Sequence, residues 1–374
     1  GNNVSEPITI TIASIGLLTL FCQWLAWWVQ IPAILFLLLS GIILGPLTHF
    51  LNPDQLLGSL LFPLVHISTA IILFEGSLTL NFKRALELRS VIRNLLTLGV
   101  LLTFGLTFLI CRQFLSMNTA VAALLAAITS VTGPTVITPL LRTVRPNQTI
   151  AEVLRWEGIM VDPIGAILAI AVMGVITYTN NQAHYWPVVM DLLMLLVISL
   201  SIGLTFGYAM GHVLRRHTLP DYLHNVAVLI WVIVGYAYSN FLHDGSGLLT
   251  VTIMGVTLAN MKKLPVDEIL GFKESLSILL ISGLFILLSA RTQLHNIQTL
   301  LIPSLILLAS LQFIVRPIVI FICTLRSRLS WQECIMVGWI APRGIIAAAI
   351  AALFSHNLTE LNIPQANTLV PLTF

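Results

Sequence analysis

Charge is what this sequence has least of. Asp, Glu, Lys and Arg make up only 9% of the 374 residues, while apolar types reach 57%. A soluble domain carries about 25% charge, so a water-soluble globule is excluded. The mean hydropathy of +0.97 fits a chain that lives in a bilayer. Cysteine is also scarce: Cys22, Cys111, Cys323 and Cys334 sit in or beside apolar runs, without disulfide or metal spacing. They are expected to be reduced packing residues. No His-Glu-x-x-His pair is present, and Asp162 lacks a second aspartate in a catalytic setting, which argues against an intramembrane enzyme. No basic segment precedes the first apolar run, so no cleavable signal peptide is expected. Neither a cofactor nor a nucleic-acid partner is expected.

What is present is a succession of long apolar runs. Their length favours helices over barrel strands, which would be about ten residues of alternating polarity. Hydropathy and helix breakers predict an all-α polytopic membrane protein of about twelve spans. They cover roughly 8–29, 31–48, 56–77, 90–114, 118–142, 151–178, 186–214, 222–243, 246–260, 270–290, 297–325 and 332–354, and a thirteenth is expected to begin near 365. The connections are short, so residues 1–374 read as one membrane domain. Lys83, Arg84, Arg89, Arg142, Arg145, Arg215, Arg216, Lys262, Lys263, Lys273, Arg326 and Arg328 fall in or beside the odd-numbered loops. The positive-inside rule then makes those loops cytoplasmic and puts the N-terminus outside.

Two spans are interrupted. The fifth contains Thr132-Gly133-Pro134 and the twelfth contains Ala341-Pro342-Arg343-Gly344. Proline removes a backbone donor, and broken backbone at membrane depth is tolerated where it lines a cavity or is buried in protein. The two breaks are seven spans apart. That spacing suits two six-helix repeats around a linking seventh helix, inverted because seven is odd. Paired interrupted helices of this kind point to the site of a secondary transporter. A pair of simple proline kinks is the alternative.

Within the sixth span, residues 154–174 carry two carboxylates, Glu157 and Asp162. An acidic residue at the centre of a membrane helix costs roughly 2.5–3.5 kcal/mol on insertion scales, so such residues face a polar cavity or a partner. Asp162 precedes Pro163, whose ring frees a carbonyl about one turn earlier, near Gly158. A carboxylate beside freed carbonyl and hydroxyl oxygens suits a small hard cation. It can equally hold a proton, and a group holding one or the other is the minimum machinery of exchange. Five residues put Glu157 about 140° around the helix from Asp162, so the two do not share a face. Glu157 is expected to pair with Arg343, a buried guanidinium in the twelfth-span break that needs a carboxylate. Glu75, closing the third span, reads equally as a cation-gathering group at the cytoplasmic mouth or as a solvated helix end. Around the fifth-span break, Thr129, Ser130, Thr132 and Thr135 offer hydroxyls that can satisfy the backbone or coordinate a cation, and Thr132 is best placed to coordinate. Plainer readings suit the rest. Arg316 is expected to snorkel or pair locally, His66 to pack as a neutral ring, and Asp191 and Glu333 to be interfacial. His212, His217 and His224 flank a cytoplasmic loop, where pH sensing is conceivable.

These residues make the chain resemble the cation:proton antiporters of the NhaP/NHE type. The motifs that carry the resemblance are Leu-Phe-Glu-Gly at 73–76, Thr-Gly-Pro-Thr-Val-Ile at 132–137, Glu-Gly-Ile-Met-Val-Asp-Pro at 157–163 and Pro-Arg-Gly at 342–344. The resemblance implies a thirteen-helix NhaA/NhaP-like fold, a homodimer, and alternating access by an elevator-like movement. It implies an ion-translocating core at about 90–178 and 296–374, dimerisation-side helices at about 1–89 and 215–295, and a linking helix at 186–214. By position, Asp162 matches the family's ion- and proton-binding aspartate. Glu157 and Arg343 match a structural pair, Glu75 an acidic residue near the ion path, and Thr132 the threonine of a Thr-Asp-Pro break. Three positions depart from the pattern: Gly133 replaces the aspartate of that break, Val161 the asparagine before the essential aspartate, and Gly158 a serine. Asp162 is left as the one clear carboxylate, with Thr132 as its companion ligand for Na+ or K+. The expected function is monovalent cation:proton exchange across a membrane, here the bacterial inner membrane, with a cytoplasmic regulatory domain possible after the C-terminus. A proton-coupled carrier of an organic or anionic substrate is the alternative. A channel is a further one, excluded by saturable, counter-ion-dependent flux.

Overall fold

A computed structural model describes residues 5–29, 33–114, 118–130, 141, 146–180, 186–261, 264, 266–291, 306–307, 309–325 and 329–339. Among these residues every regular element is a helix. The principal helices are α1 (Ser5–Val29), α2 (Ala33–Ile42), α3 (Leu61–Ser77), α4 (Val100–Gln113), α5 (Thr119–Thr129) and α6 (Gln148–Asn180). They continue with α7 (Trp186–Arg215), α8 (Asp221–Leu242), α9 (Gly247–Ala259), α10 (Val266–Ala290), α11 (Arg316–Cys323) and α12 (Trp331–Trp339). Among the described residues, six stretches are long and apolar enough to cross a bilayer: Ile8–Val29, Pro53–Ser77, Phe82–Gln113, Gln148–Thr177, Trp186–Arg215 and Asp221–Leu242. Shorter apolar helices, among them Thr119–Thr129 and Gly247–Ala259, pack between them. The expected thirteenth span and both predicted breaks, with Thr132, Gly133, Pro134, Pro342 and Arg343, lie outside the described residues.

Helix entrances are set by short polar side chains. Asn118 accepts from the Ala120 amide at 3.0 Å, Asn147 from Ile150 at 2.9 Å, and Asn81 from Lys83 at 2.9 Å. Each satisfies an amide that a starting helix leaves orphaned. Among the described residues three π-helical turns interrupt the spans, at Ile43–Leu47, Leu95–Gly99 and Leu311–Val315, and the last two lead directly into α4 and α11. Such turns are rare and concentrate at functional sites.

Three apolar clusters organise the packing. One joins α4, α5, α6, α11 and α12 through residues such as Ile110, Leu124, Leu154, Val319 and Val337. A second joins α1, α2 and α10 to the start of α3, and a third joins the end of α3 to α7, α8 and α9. Helix α6 stands between these units: it touches α5 and α12 of its own cluster, and also α3, α7 and α9. The α7–α9 contact is close because Gly203 and Gly207 face α9. A β-carbon on Gly203 would lie 2.7 Å from the Ile253 β-carbon, and one on Gly207 3.0 Å from that of Thr257. Small residues four apart are the usual means by which membrane helices approach closely. Where α7, α8 and α9 meet, Ser239 lies 2.6 Å from both Ser246 and Thr250, and Ser199 donates to the Ser246 carbonyl at 3.0 Å. The outer faces of α1, α7 and α8 expose Leu20, Trp27, Leu193, Val197 and Phe241, the pattern of a lipid-facing surface.

Candidate functional site

Glu157 and Asp162 of α6 are both buried, and their surroundings are opposite. Helix α6 runs unbroken through Pro163, whose missing amide leaves the Ile159 carbonyl without its helical donor. Asp162 is completely buried, and neither of its carboxylate oxygens has a hydrogen-bond partner among the described residues. Its chain neighbour Val161 and the nearby Ala166 are buried as well. An ionised carboxylate in such a place costs many kcal/mol unless a proton, a cation or a donor neutralises it. Almost all buried polar groups in folded proteins are partnered, so a bare one needs a functional explanation.

Glu157 is clamped instead. Both of its oxygens are held by the Arg316 guanidinium: Nη1 donates to Oε1, and Nη2 donates to Oε2 at 2.7 Å. Nη2 also donates to the Val337 carbonyl at 3.2 Å. Both residues are only 5% exposed. The pair therefore ties α6 to α11 and α12. A fork-on-fork contact of this kind fixes orientation as well as distance. Thr103, Ser130 and the π turn Leu95–Gly99 border the same small void as the pair.

The residue on Glu157 is thus Arg316, at a position where the sequence predicts snorkelling or a local partner. The pairing expected with Arg343 lies outside the described residues. A signal for Arg316 was available. It stands nine residues from the end of its apolar run at 325, about 13 Å along a helix at 1.5 Å per residue, which is too deep for a side chain to reach the interface.

The remaining candidates fall in several places. Glu75 is half-buried on the last turn of α3. There α9 comes so close that a β-carbon on Gly255 would stand 2.8 Å from the Phe74 carbonyl. Thr129 and Ser130 both turn their hydroxyls back onto their own helix, to the Leu125 and Ala126 carbonyls at 2.7 Å. On the described side of the fifth-span break, then, the hydroxyls satisfy backbone. Thr132, the threonine expected to coordinate, lies outside the described residues, as do Gly133, Pro134 and Pro342. Asp191 Oδ1 accepts from His243 Nε2 at 2.8 Å, and Glu333 forms a cap with Ser330 on the first turn of α12. Cys22, Cys111, Cys323 and Cys334 are free thiols. A cavity of about 850 Å³ opens between α7, α9 and Met160 of α6, with His212, Arg215 and Asn260 among its lining residues.

Sequence reasoning also missed Glu152. It is buried one turn before Glu157, where it accepts from Arg155 at 3.2 Å and from the Trp156 indole at 3.2 Å. The i to i+3 and i+4 spacing on a helix was its signal.

Fold and site together define a class: a polytopic helical membrane protein that keeps ionisable side chains inside its bundle. Comparison with known proteins gives the family. The model of the transmembrane sodium/hydrogen exchangers matches residues 12–374, and the chain belongs to that family. Na(+)/H(+) antiporter 1 of Methanocaldococcus jannaschii is 25% identical over 340 residues, covering 86% of this chain and 77% of that one. The K(+)/H(+) antiporter NhaP of Alkalimonas amylolytica is 26% identical over 358 residues, covering 92% of this chain and 60% of that one. The chain thus spans only part of the length of these relatives. The fold is that of the sodium proton antiporter MjNhaP1 from Methanocaldococcus jannaschii, with a TM-score of 0.83 at 24% identity, covering 98% of this chain and 94% of that one.

Proposed function

We infer that this protein exchanges a monovalent cation, Na+ or K+, for protons across a membrane by alternating access, with Asp162 holding the cation and the proton in turn. One observation carries the reading: a fully buried carboxylate whose two oxygens have no partner among the described residues. Either a cation or a proton would neutralise it, and the two exclude one another. Thr132 and the Ile159 carbonyl are the oxygens assigned as companion ligands. Glu157 and Arg316 brace the helix that presents Asp162, with Arg343 assigned to the same polar centre, and Glu75 draws cations toward the cytoplasmic mouth.

Gly133, Val161 and Gly158 supply no side-chain oxygen, which favours a cation that accepts carbonyl ligands in a larger shell, as K+ does. A single titrating carboxylate makes the exchange one-for-one and electroneutral. Proton flux that responds to membrane voltage would contradict this stoichiometry.

The moving unit is assigned to the cluster of α4, α5, α6, α11 and α12, and the other two clusters to the dimerisation side. Support comes from the separate apolar packing of the three groups and from the position of α6 at their boundary. Two inverted repeats gain support from the π turns before α4 and α11, since those helices are seven apart in the order of spans. The reading includes thirteen spans, a homodimer, an inner-membrane location with the N-terminus outside, and a regulatory domain following the C-terminal span.

The test is proton flux in proteoliposomes with Na+, K+ and Li+ in turn, comparing the natural protein with Asp162→Asn. Cation-dependent proton movement that disappears in the variant is expected. Exchange that persists in Asp162→Asn would overturn the assignment, and proton-coupled flux independent of all three cations would move the reading to an organic or anionic substrate.

A further inference from the structure

The turn between α7 and α8 brings together three side chains that the exchange reading does not use. His217 stands just after α7, and Asp221 and His224 lie on the first turns of α8. Asp221 Oδ1 is 4.0 Å from His217 Nδ1 and 3.9 Å from His224 Nε2. The three ligand atoms all lie within 4.8 Å of one another. The two imidazole rings stack at 6.1 Å between centroids, 27° from parallel.

Backbone geometry contributes to this meeting. His217 has φ 51°, and it and His49 are the only non-glycine residues with positive φ among those described. A residue with a β-carbon is strained in that left-handed conformation. The resulting reversal returns the His217 ring over the start of α8. His224 is the buried member, and its Nε2 donates to the Leu219 carbonyl at 3.0 Å. The side chains of His217 and Asp221 are 70% and 89% exposed and free to move.

The geometry points to a binding site for a divalent transition-metal ion of the Zn2+ or Ni2+ type, held by His217, Asp221 and His224. Two imidazoles and one carboxylate are the donor set such ions take, with further positions left to water. Bonds of about 2.0–2.1 Å to a tetrahedral ion put ligand atoms about 3.3 Å apart. From separations of up to 4.8 Å the ligand atoms therefore need to close by as much as about 1.5 Å, within the reach of side-chain rotations. On binding, the His224 ring gives up its bond to the Leu219 carbonyl, its proton passes to Nδ1 through solvent, and the Nε2 lone pair turns to the metal. Arg215 and Arg216 immediately precede His217 and oppose any cation. The site therefore selects ions that gain from coordinate bonds to nitrogen, and disfavours Mg2+ and Ca2+, which seek several oxygens. An ion held here ties the end of α7 to the start of α8 on a face remote in sequence from Asp162.

The test is Zn2+ titration of the purified, tag-free protein by calorimetry and by thermal unfolding, with Ni2+ and Mg2+ in parallel. His217→Gly is the informative variant, since glycine adopts the left-handed backbone freely and removes only the ligand. One Zn2+ per chain is expected in the natural protein, with a raised unfolding temperature. An affinity at least about tenfold weaker is expected in His217→Gly and in Asp221→Asn, with no response to Mg2+. Equal Zn2+ affinity in the natural protein and His217→Gly, or no Zn2+ uptake by the natural protein, would overturn the assignment. Because metal uptake is read without transport, the outcome is independent of the exchange assigned to Asp162.

Discussion

Two carboxylates five residues apart on one helix have opposite fates. Glu157 is gripped on both oxygens by Arg316, whereas Asp162 is buried with neither oxygen engaged among the described residues. Their burial is nearly the same, so the contrast comes from partners alone. A buried charge with a fixed counter-charge is committed to structure, because removing either member strands the other. A buried carboxylate without one stays open to whatever ion arrives. The five-residue spacing makes this division possible by turning the two side chains about 140° apart on the helix.

The contrast can be broken most severely at Asp162. Asp162→Asn removes the exchanging charge while keeping shape, so cation-driven proton flux in proteoliposomes is expected to fall at least about 100-fold. Its unfolding temperature in detergent is expected to stay the same or rise, because a buried acid with no partner among the described residues has been replaced by a neutral group. Loss of folding together with transport would mean that Asp162 is structural.

Arg316→Met leaves Glu157 buried and unpaired, and is expected to cost about 3–5 kcal/mol in stability, read by denaturant or thermal unfolding. Removing both charges, as in Glu157→Leu with Arg316→Met, is expected to recover most of that loss, since a packed apolar pair avoids the desolvation penalty. The double variant is also expected to retain exchange within about tenfold of the natural protein. If it loses transport as completely as Asp162→Asn while still folding, Glu157 belongs to the ion path. The smallest effect belongs to Ser130→Ala. Its hydroxyl satisfies a carbonyl within its own helix, so exchange is expected to change by less than about twofold and stability by less than about 1 kcal/mol.

Much of this arrangement was legible in the residues themselves. Low charge and long apolar runs define a helical membrane protein, and the acidic residues of the sixth span stand out against them. The 140° separation of Glu157 and Asp162 is arithmetic on a helix, and the structure keeps that helix unbroken through Pro163. The partner of Glu157 was not legible. Helical spacing within one span can be counted, but which arginine of another span meets it depends on how α11 packs on α6, and the π turn before Arg316 shifts the register there. The meeting of His217, Asp221 and His224 was hidden in a similar way. It depends on a left-handed backbone at a histidine, where sequence rules expect glycine or asparagine.

The most direct test of the central claim is proton release on cation binding. Purified protein in weakly buffered detergent solution is titrated with Na+ or K+, and the protons liberated per chain are counted with a pH-sensitive dye. With Asp162 holding either a cation or a proton, about one proton per chain is released by the natural protein at saturation, and none by Asp162→Asn. Equal release from the two proteins would contradict the account.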